Sequence, residues 1–325
     1  MKCLARQAAR GLVASVVLIV SATVGAQDYP NRDITFIVPF GAGGSADPLA
    51  RQFTGQLEKV LRGNINVENK PGGSGTIGMN LIARAKPDGY TIGLGSNSML
   101  AYQPLVNKGL SFKTPDDYQP IVKLTVQPSV LFVRADAPWK TFDEFLADVR
   151  KNPGKIRASV AGLRQAADLA AQQFNMVAGV KMVTVPFSSG GGEALVALLG
   201  GRVEAFVNAG VNALGHVQDG KLRPLAAFMK GKHPLFPNAV SVADAGYDAT
   251  LPITFYVVAP KGMPKDVQDK LVSASLQVAG GEEFAKFAKA NTYMVDAKGP
   301  QALREEILQY MKTYSDLIKF IDQKK

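Results

Sequence analysis

The residues with the clearest chemical signature in this chain are three small ones that follow a hydrophobic run. Gly41, Gly43 and Ala46 stand in FIVPFGAGGSADPLAR, residues 36–51, at the spacing G-x-G-x-x-A. Such a loop between a buried strand and a helix lets backbone N–H groups approach an anion. The chemistry is therefore anion binding, and the loop alone leaves open whether the anion is a dinucleotide pyrophosphate or a smaller group.

Side chains that could carry catalysis are scarce. The chain has two histidines, His216 and His233, and one cysteine, Cys3. The H-E-x-x-H, G-x-S-x-G and S-x-x-K patterns of common hydrolases and zinc enzymes do not occur. His233 precedes a proline and is predicted to lie exposed in a loop. We therefore predict a protein that is not an enzyme and that has no metal and no cofactor.

The first 26 residues have the pattern of a cleavable secretory signal. A basic start is followed by an apolar run at 11–20 and by the small residues Val24-Gly25-Ala26. The apolar run is shorter than the roughly 20 residues that a membrane-spanning helix needs. Cleavage after Ala26 removes Cys3 and leaves a chain without thiols, which we expect to reside in the periplasm.

The charge balance favours anionic partners. The formal net charge is +10, and removal of Lys2, Arg6 and Arg10 with the signal leaves +7. The longest basic run is KGK at 230–232, and no arginine-rich or aromatic-interleaved stripe occurs, so nucleic acid is excluded as a partner. A small acidic ligand remains, beside the simpler interpretation that the lysines are ordinary solvated surface charges.

The elements that must position the glycine loop follow from alternating strand and helix signals, which predict an α/β fold with largely parallel sheets. Asp47 is predicted to cap the helix after the loop, with Pro48 in its first turn. A second small-residue loop, at 72–75, follows the next strand, and a third strand ends at Ser96. Two small-residue loops are therefore expected at the same edge of one sheet.

The alternation breaks within 117–136, where two apolar runs have no long helix between them. We interpret this as a crossing into a second lobe, and ITFYVVAP at 253–260 as the return. The predicted lobes are therefore 27–126 with 253–325, and 127–252. An apolar stripe in the C-terminal tail is predicted to pack on the first lobe.

Motifs along the chain resemble those of one family, the tripartite tricarboxylate transporter receptors, also called the Bug family. They are YPNRDITFIVPFGAGGSADPLARQ, VENKPGGSGTIG, AKPDGYTIGLGS, VPFSSGGGEALVALLGGRVEAFV, GKLRPLAAF and VADAGY, with VVAPKGMP opening the last section. They span nearly the whole mature chain in the family's order. The resemblance implies a two-lobed periplasmic-binding-protein fold, type II-like, with the ligand cleft between the lobes.

The resemblance also implies a function. A solute-binding receptor of this kind captures a small carboxylate or dicarboxylate and delivers it, as a monomer, to the membrane subunits of a tripartite tricarboxylate-type transporter. A periplasmic sensor that reports to a signalling partner is the alternative. The glycine loop then holds a carboxylate through N–H groups and water. The dinucleotide alternative retains Glu68 as a ribose-binding acid, but the stiff Pro39 and the export of the chain count against it.

The resemblance places the binding residues on loops of both lobes. From the first lobe we expect Phe40, Gly41, Ala42, Gly43, Gly44, Ser45, Asp47, Ser96, Asn97 and Ser98. From the second lobe we expect Gly162, Leu163, Arg164, Gln165, Ser188, Ser189, Gly190 and Asn208. Asp47 could also receive a ligand ammonium group instead of capping the helix.

The chain departs from its relatives in the second lobe. Ala167-Asp168-Leu169 stands where relatives usually have a His-Leu pair, and Ser188 and Ser189 stand where a lysine is common. Arg164 is predicted either to pair with a distal ligand carboxylate or to be a solvent-facing loop charge. Citrate-like, aromatic dicarboxylate, amino-acid and nicotinate-like ligands all remain open.

Overall fold

The computed structural model describes residues 29–42, 44–188 and 190–322. The predicted signal segment, 1–26, lies outside the described residues. Within those ranges, no helix combines the length and the apolar composition needed to span a bilayer.

Twelve strands form within the described ranges: β1 (Ile34–Val38), β2 (Ile65–Asn69), β3 (Thr91–Ser96), β4 (Tyr118–Gln127), β5 (Ser129–Arg134), β6 (Arg157–Ala161), β7 (Val183–Phe187), β8 (Ala205–Ala209), β9 (Leu222–Ala227), β10 (Val240–Ser241), β11 (Ile253–Pro260) and β12 (Met294–Lys298). The helices are α1 (Ala46–Leu61), α2 (Thr76–Ala83), α3 (Gln103–Val106), α4 (Phe142–Lys151), α5 (Ala166–Val177), α6 (Gly191–Leu199), α7 (Leu214–Gln218), α8 (Lys265–Ala279), α9 (Glu282–Ala290) and α10 (Pro300–Asp322). Short 3₁₀ turns lie at Gly73–Gly75 and Gly210–Asn212, and a π-helical turn lies at Ser98–Tyr102.

The strands form two six-stranded sheets. The first has the order β12-β4-β11-β3-β1-β2, and the second has the order β10-β9-β5-β8-β6-β7. In the first sheet β11 runs antiparallel to its neighbours β3 and β4. In the second sheet β5 runs antiparallel to its neighbours β8 and β9. The prediction of largely parallel sheets is therefore wrong in this respect, because both sheets are mixed. A chain that leaves one sheet along β4 and returns along β11 must run back in the opposite direction.

The two crossings lie side by side. Pro128 alone separates β4 from β5, and Pro252 precedes β11. Ile253 at the start of β11 pairs with Gln127 at the end of β4. Both chain segments that connect the sheets are therefore neighbouring strand ends in the first sheet.

Apolar burial fixes where the strand ends and helix starts lie. Ile34, Phe36 and Val38 of β1 are fully buried, as expected for a strand covered on both faces. Phe53 of α1 packs edge-on against Phe284 of α9 at 6.3 Å between ring centroids. Fully burying such an aromatic side chain stabilises the fold by about 1.5 to 3 kcal/mol. Phe53 also lies 6.2 Å from Phe36 between ring centroids, so this packing joins α1 to both β1 and α9.

The C-terminal stripe packs on the first sheet, as predicted. The buried face of α10 lies in one apolar cluster with Tyr118 of β4 and with Tyr256 and Val258 of β11. The buried residues of α10 are Leu303, Ile307, Tyr314, Leu317 and Ile321.

His233 is buried, so the prediction of an exposed loop histidine is wrong. Its side chain is 1% exposed, and its ring centroid lies 4.9 Å from that of Phe236. The backbone N–H groups of Leu235 and Phe236 both donate to its Nδ1, each at 3.2 Å. Burial lowers the pKa of His233 to about 4, so the imidazole is neutral near pH 7.

We expect His233 to make the second sheet's lobe sensitive to mild acid. Its folded pKa of about 4 lies below its ordinary value of 6.5, so the unfolded chain takes up a proton first as the pH falls. Stability present above pH 6.5 is lost towards pH 4, by roughly 2 kcal/mol between pH 7 and pH 5. Urea unfolding at both pH values measures this loss. In His233→Asn the amide oxygen can accept the two hydrogen bonds in place of Nδ1, but the side chain does not titrate. The stability of this variant should therefore no longer show the loss of roughly 2 kcal/mol between pH 7 and pH 5. A variant with the same pH dependence as the unmodified protein would contradict a neutral buried imidazole.

Candidate functional site

A cavity of about 270 Å³ lies between the two sheets. Its first wall consists of loops at the carboxyl ends of β1, β2 and β3, together with the start of β11. The residues of this wall are Pro39, Phe40, Gly41, Gly44, Ser45, Ala46, Pro71, Gly72, Gly73, Ser74, Gly75, Ser96, Ser98, Ile253 and Phe255. The second wall follows β6, β7 and β8, with Ala161, Gly162, Leu163, Gln165, Ala166, Ala167, Ser188, Gly190, Gly191 and Asn208. Among the described residues, this lining contains no charged side chain.

Four helices begin at this cavity. Residues at the starts of α1 and α2 line the first wall, and residues at the starts of α5 and α6 line the second. The residues that precede these helices, Ser45, Gly75, Gln165 and Gly190, make no side-chain capping hydrogen bond. The first-turn N–H groups of α1, α5 and α6 have no partner within the helix, and the helix dipole places partial positive charge there. In α2 the N–H groups of Thr76 and Ile77 already donate to the carbonyls of Gly73 and Gly72, so these two groups are not available to a ligand. The cavity is therefore lined by backbone donors that suit an anion.

Asn69, at the end of β2, fixes the shape of the glycine loop. Its Nδ2 donates to the carbonyl of Phe40 at 3.0 Å and to Oδ1 of Asp47 at 2.8 Å. The hydroxyl of Tyr293 donates to the carbonyl of Ser45. Two side chains from distant parts of the sequence thus hold both ends of the loop that lines the first wall.

Asp47 does not cap α1, which corrects the prediction. The helix begins at Ala46, so Asp47 lies inside its first turn. Its carboxylate accepts from Nε of Arg51 at 3.1 Å as well as from Asn69, and it is not among the cavity residues. Since both oxygens already have donors, Asp47 supports the loop from outside the cavity lining.

The loop at 71–75 contributes to the first wall and also contacts the second. Ser74 has φ of 56°, in the left-handed region that non-glycine residues adopt at a cost. Its Oγ donates to the carbonyl of Leu163 at 2.8 Å, a hydrogen bond that joins the two walls. The cavity is therefore bridged on one side by a contact between a first-wall loop and a second-wall loop.

Close packing behind α6 explains one glycine of the second wall. A Cβ on Gly191 would lie 2.4 Å from Nδ2 of Asn208, so a larger residue here would have to displace the Asn208 side chain. Asn208 is 5% exposed, and its Oδ1 accepts from the N–H of Ala209 at 2.9 Å. The amide of Asn208 is thereby fixed at the cavity wall.

Arg164 does not line the cavity. Its backbone is also left-handed, with φ of 56°, and its guanidinium lies 3.7 Å from Oδ2 of Asp168. The backbone N–H of Arg164 donates to the same oxygen at 2.7 Å. Because Asp168 is fully buried, its charge holds Arg164 beside α5. The predicted pairing of Arg164 with a distal ligand carboxylate is therefore not supported by this arrangement.

Asn97 is a buried structural residue and not part of the cavity lining. It is 0% exposed, and its Nδ2 donates to the carbonyl of Pro252 and to the hydroxyl of Tyr314, both at 2.9 Å. Its Oδ1 accepts from the N–H of Thr254 at 3.3 Å. Asn97 thus ties β3 to the return crossing and to α10, while its neighbours Ser96 and Ser98 line the cavity.

The cavity brings together most of the residues singled out from the sequence. Twelve of them line it: Phe40, Gly41, Gly44, Ser45, Ser96, Ser98, Gly162, Leu163, Gln165, Ser188, Gly190 and Asn208. Ala42, Asp47, Asn97 and Arg164 do not. Gly43 and Ser189 lie outside the described residues.

The binding residues predicted from the sequence did not include the loop at 71–75 or the pair Ile253 and Phe255, which line the first wall, or Asn69, which supports it. The loop carried a signal, because it is rich in glycine and follows a predicted strand end as the first loop does. Ile253 and Phe255 gave only a strand signal. Nothing in the sequence indicated that their side chains would reach the cavity.

Comparisons with known proteins agree with this geometry. The sequence profile described as "Tripartite tricarboxylate transporter family receptor" matches residues 49–322. Protein BugT of Bordetella pertussis (strain Tohama I) is 32% identical over 75% of this chain and 75% of its own. The structure of the periplasmic binding protein BugD has a TM-score of 0.82 and 30% identity, covering 90% of this chain and 98% of its own. MatC from Rhodopseudomonas palustris, with bound malate, has a TM-score of 0.81 and 26% identity, covering 89% and 100%.

Asn97→Ala should reduce stability more than ligand affinity. The substitution removes the amide donor to the carbonyl of Pro252 and to the hydroxyl of Tyr314, which costs about 1 to 3 kcal/mol for each group left unsatisfied. Urea unfolding measures the loss, with the exposed Asn238→Ala as the matched control. A variant of unchanged stability that has lost ligand affinity would show instead that Asn97 contacts the ligand.

Proposed function

The chain belongs to the tripartite tricarboxylate transporter receptor family, and from this premise we propose that it captures a small carboxylate in the cavity between its two sheets. The observation that carries the proposal is a cavity at which four helices begin and whose described lining has no charged side chain. The receptor binds this ligand without converting it and without a cofactor.

Backbone recognition suits a carboxylate physically. N–H groups at helix starts are fixed in direction by the folded chain, so they need little reorganisation when an anion arrives. Charge-assisted hydrogen bonds from such donors are roughly twice as strong as neutral ones. Ser96 and Ser98, each 3% exposed with their Oγ atoms 3.3 Å apart, add hydroxyl groups to the same wall.

In the proposed mechanism, the two lobes close around the ligand. The lobes are 27–126 with 253–325, and 127–252, a division supported by the assignment of strands to sheets. Their neighbouring crossings at Pro128 and Pro252 would allow one lobe to rotate relative to the other. Ser74 and Leu163 would then meet when the cleft is closed, as they do here.

Membership of the family supports delivery of the ligand to a transporter, and one solved relative supports the ligand class. MatC, 26% identical, holds malate, which supports a carboxylate ligand for this chain. We propose that this protein acts as a monomer in the periplasm after cleavage following Ala26, and that the closed form presents the ligand to membrane transport subunits.

A thermal-shift screen of carboxylates, malate included, tests the ligand class, because a compound at 100 times its Kd should stabilise the fold by about 2.7 kcal/mol.

Gly44→Val should weaken every carboxylate found in that screen by tenfold or more while preserving the fold. A Cβ at Gly44 would have its nearest contact with the Gly41 carbonyl at 3.8 Å, so the protein can accept the side chain, which would occupy ligand space. Calorimetric titration measures the loss. Gly192→Ala, in α6 but outside the lining and with open space around its Cβ, is the control. Full affinity in a folded Gly44→Val protein would place the site elsewhere.

A further inference from the structure

The two cavity walls differ in how the positive ends of their helices are balanced. On the first wall, α2 has no acid in its first turn, and the Asp47 carboxylate of α1 is bound by Arg51. On the second wall, α5 carries Asp168 in its first turn, with the Arg164 guanidinium 3.7 Å from Oδ2 and with Oδ1 lacking a hydrogen-bond partner among the described residues. Such an acid offsets the roughly half elementary charge at a helix N-terminus. The walls therefore differ at these two acids: both oxygens of Asp47 have side-chain donors, whereas one oxygen of the buried Asp168 has none among the described residues.

Asp168 makes the second wall unfavourable for another carboxylate. It is fully buried and directly follows Ala166 and Ala167, which line the cavity. Its Oδ2 is held by Arg164, whereas its Oδ1 has no hydrogen-bond partner among the described residues. A second carboxylate in contact with this turn would approach a buried, incompletely compensated negative charge, where the low dielectric strengthens repulsion.

A ligand ammonium group is also poorly matched to the second wall. The N–H groups at the starts of α5 and α6 carry partial positive charge, which repels a cation. The described lining contains no carboxylate that could pair with a ligand ammonium group. The ligand end that faces the second wall should therefore be uncharged.

Apolar side chains define the space between the walls. Phe40 and Phe255 line the cavity and meet edge to face, with ring centroids 6.2 Å apart at 86°. Ile253 lies beside Phe255 on the same strand and also lines the cavity, and Leu163 lines it from the second wall. These side chains offer apolar surface to the body of the ligand.

We infer that the ligand is a monocarboxylate with an apolar body, and that Asp168 selects against a second carboxylate. The inference rests on the proposed function and narrows its ligand class. The carboxylate is held by the first-wall helix starts, the body lies against Phe40 and Phe255, and the uncharged end meets α5 and α6.

A matched six-carbon series tests the ligand class. Calorimetric titration of the mature chain from Gln27 with hexanoate, adipate and 6-aminohexanoate compares a methyl, a carboxylate and an ammonium at the distal end. We expect hexanoate to bind at least tenfold more tightly than the other two, and benzoate to bind more tightly than terephthalate by a similar factor. Adipate or 6-aminohexanoate binding as well as hexanoate would overturn the inference while leaving the proposed function standing. If none of these acids binds, and malate and citrate do not bind either, the proposed function fails as well.

Substitution of the selecting acid tests its role. Asp168→Asn keeps an oxygen for the N–H of Arg164 but removes the charge, so adipate affinity should rise at least fivefold relative to hexanoate. Asp143→Asn removes an exposed first-turn acid from α4, which does not start at the cavity, and should leave the ratio unchanged. If Asp168→Asn does not fold, Arg164→Gln removes the cation beside Asp168, and adipate affinity should then fall further relative to hexanoate. An unchanged ratio in the folded variant overturns the selecting role.

Discussion

A buried anion must be balanced by positive charge, and where no cationic side chain lines a cavity the balance has to come from peptide dipoles. The described lining of this cavity meets that condition, since its polar groups are backbone amides, hydroxyls and side-chain amides. Everything else in the architecture serves to bring helix starts together. Parallel strands place their following helices at one edge of each sheet, and the two sheets turn those edges towards each other.

Holding such donors in place requires support from outside the cavity. Asn69 holds the glycine loop, and Asn97 connects β3 with the return crossing and α10. Lys123 of β4, 2% exposed, lies 2.6 Å from Asp296 of β12 and 2.5 Å from Glu306 of α10. These buried polar contacts join the first wall to the segment that returns from the second sheet. Removing one partner of such a buried pair is strongly destabilising, because the remaining charge stays uncompensated.

Features written in local sequence could be predicted, and features that depend on distant partners could not. The β1 strand, the glycine loop and the end of β3 at Ser96 follow from apolar runs and small residues within a few positions. Asn97 was misjudged because its partner Pro252 is 155 residues away, and it looked like a polar residue beside two serines.

The other errors have the same origin. The burial of His233 depends on Phe236 folding back over its ring, which no local pattern records. For Arg164 the sequence left open a pair with a ligand carboxylate or a solvent-facing charge, because it does not show that Asp168, four residues later, would be buried and would hold it. The first sheet is mixed because the chain returns to it along β11, antiparallel to β3 and β4. The alternation of strands and helices in the sequence does not specify the direction in which a strand runs.

The central claim is that backbone N–H groups at helix starts hold the ligand carboxylate. Amide chemical shifts of the mature chain, labelled with ¹⁵N at glycine and serine, measure this directly during titration with a carboxylate that binds. The account predicts that the largest downfield proton shifts belong to Gly41, Gly44 and Ser45, in the loop that leads into α1. Shifts confined to residues outside the cavity, with these three amides unchanged, would contradict it.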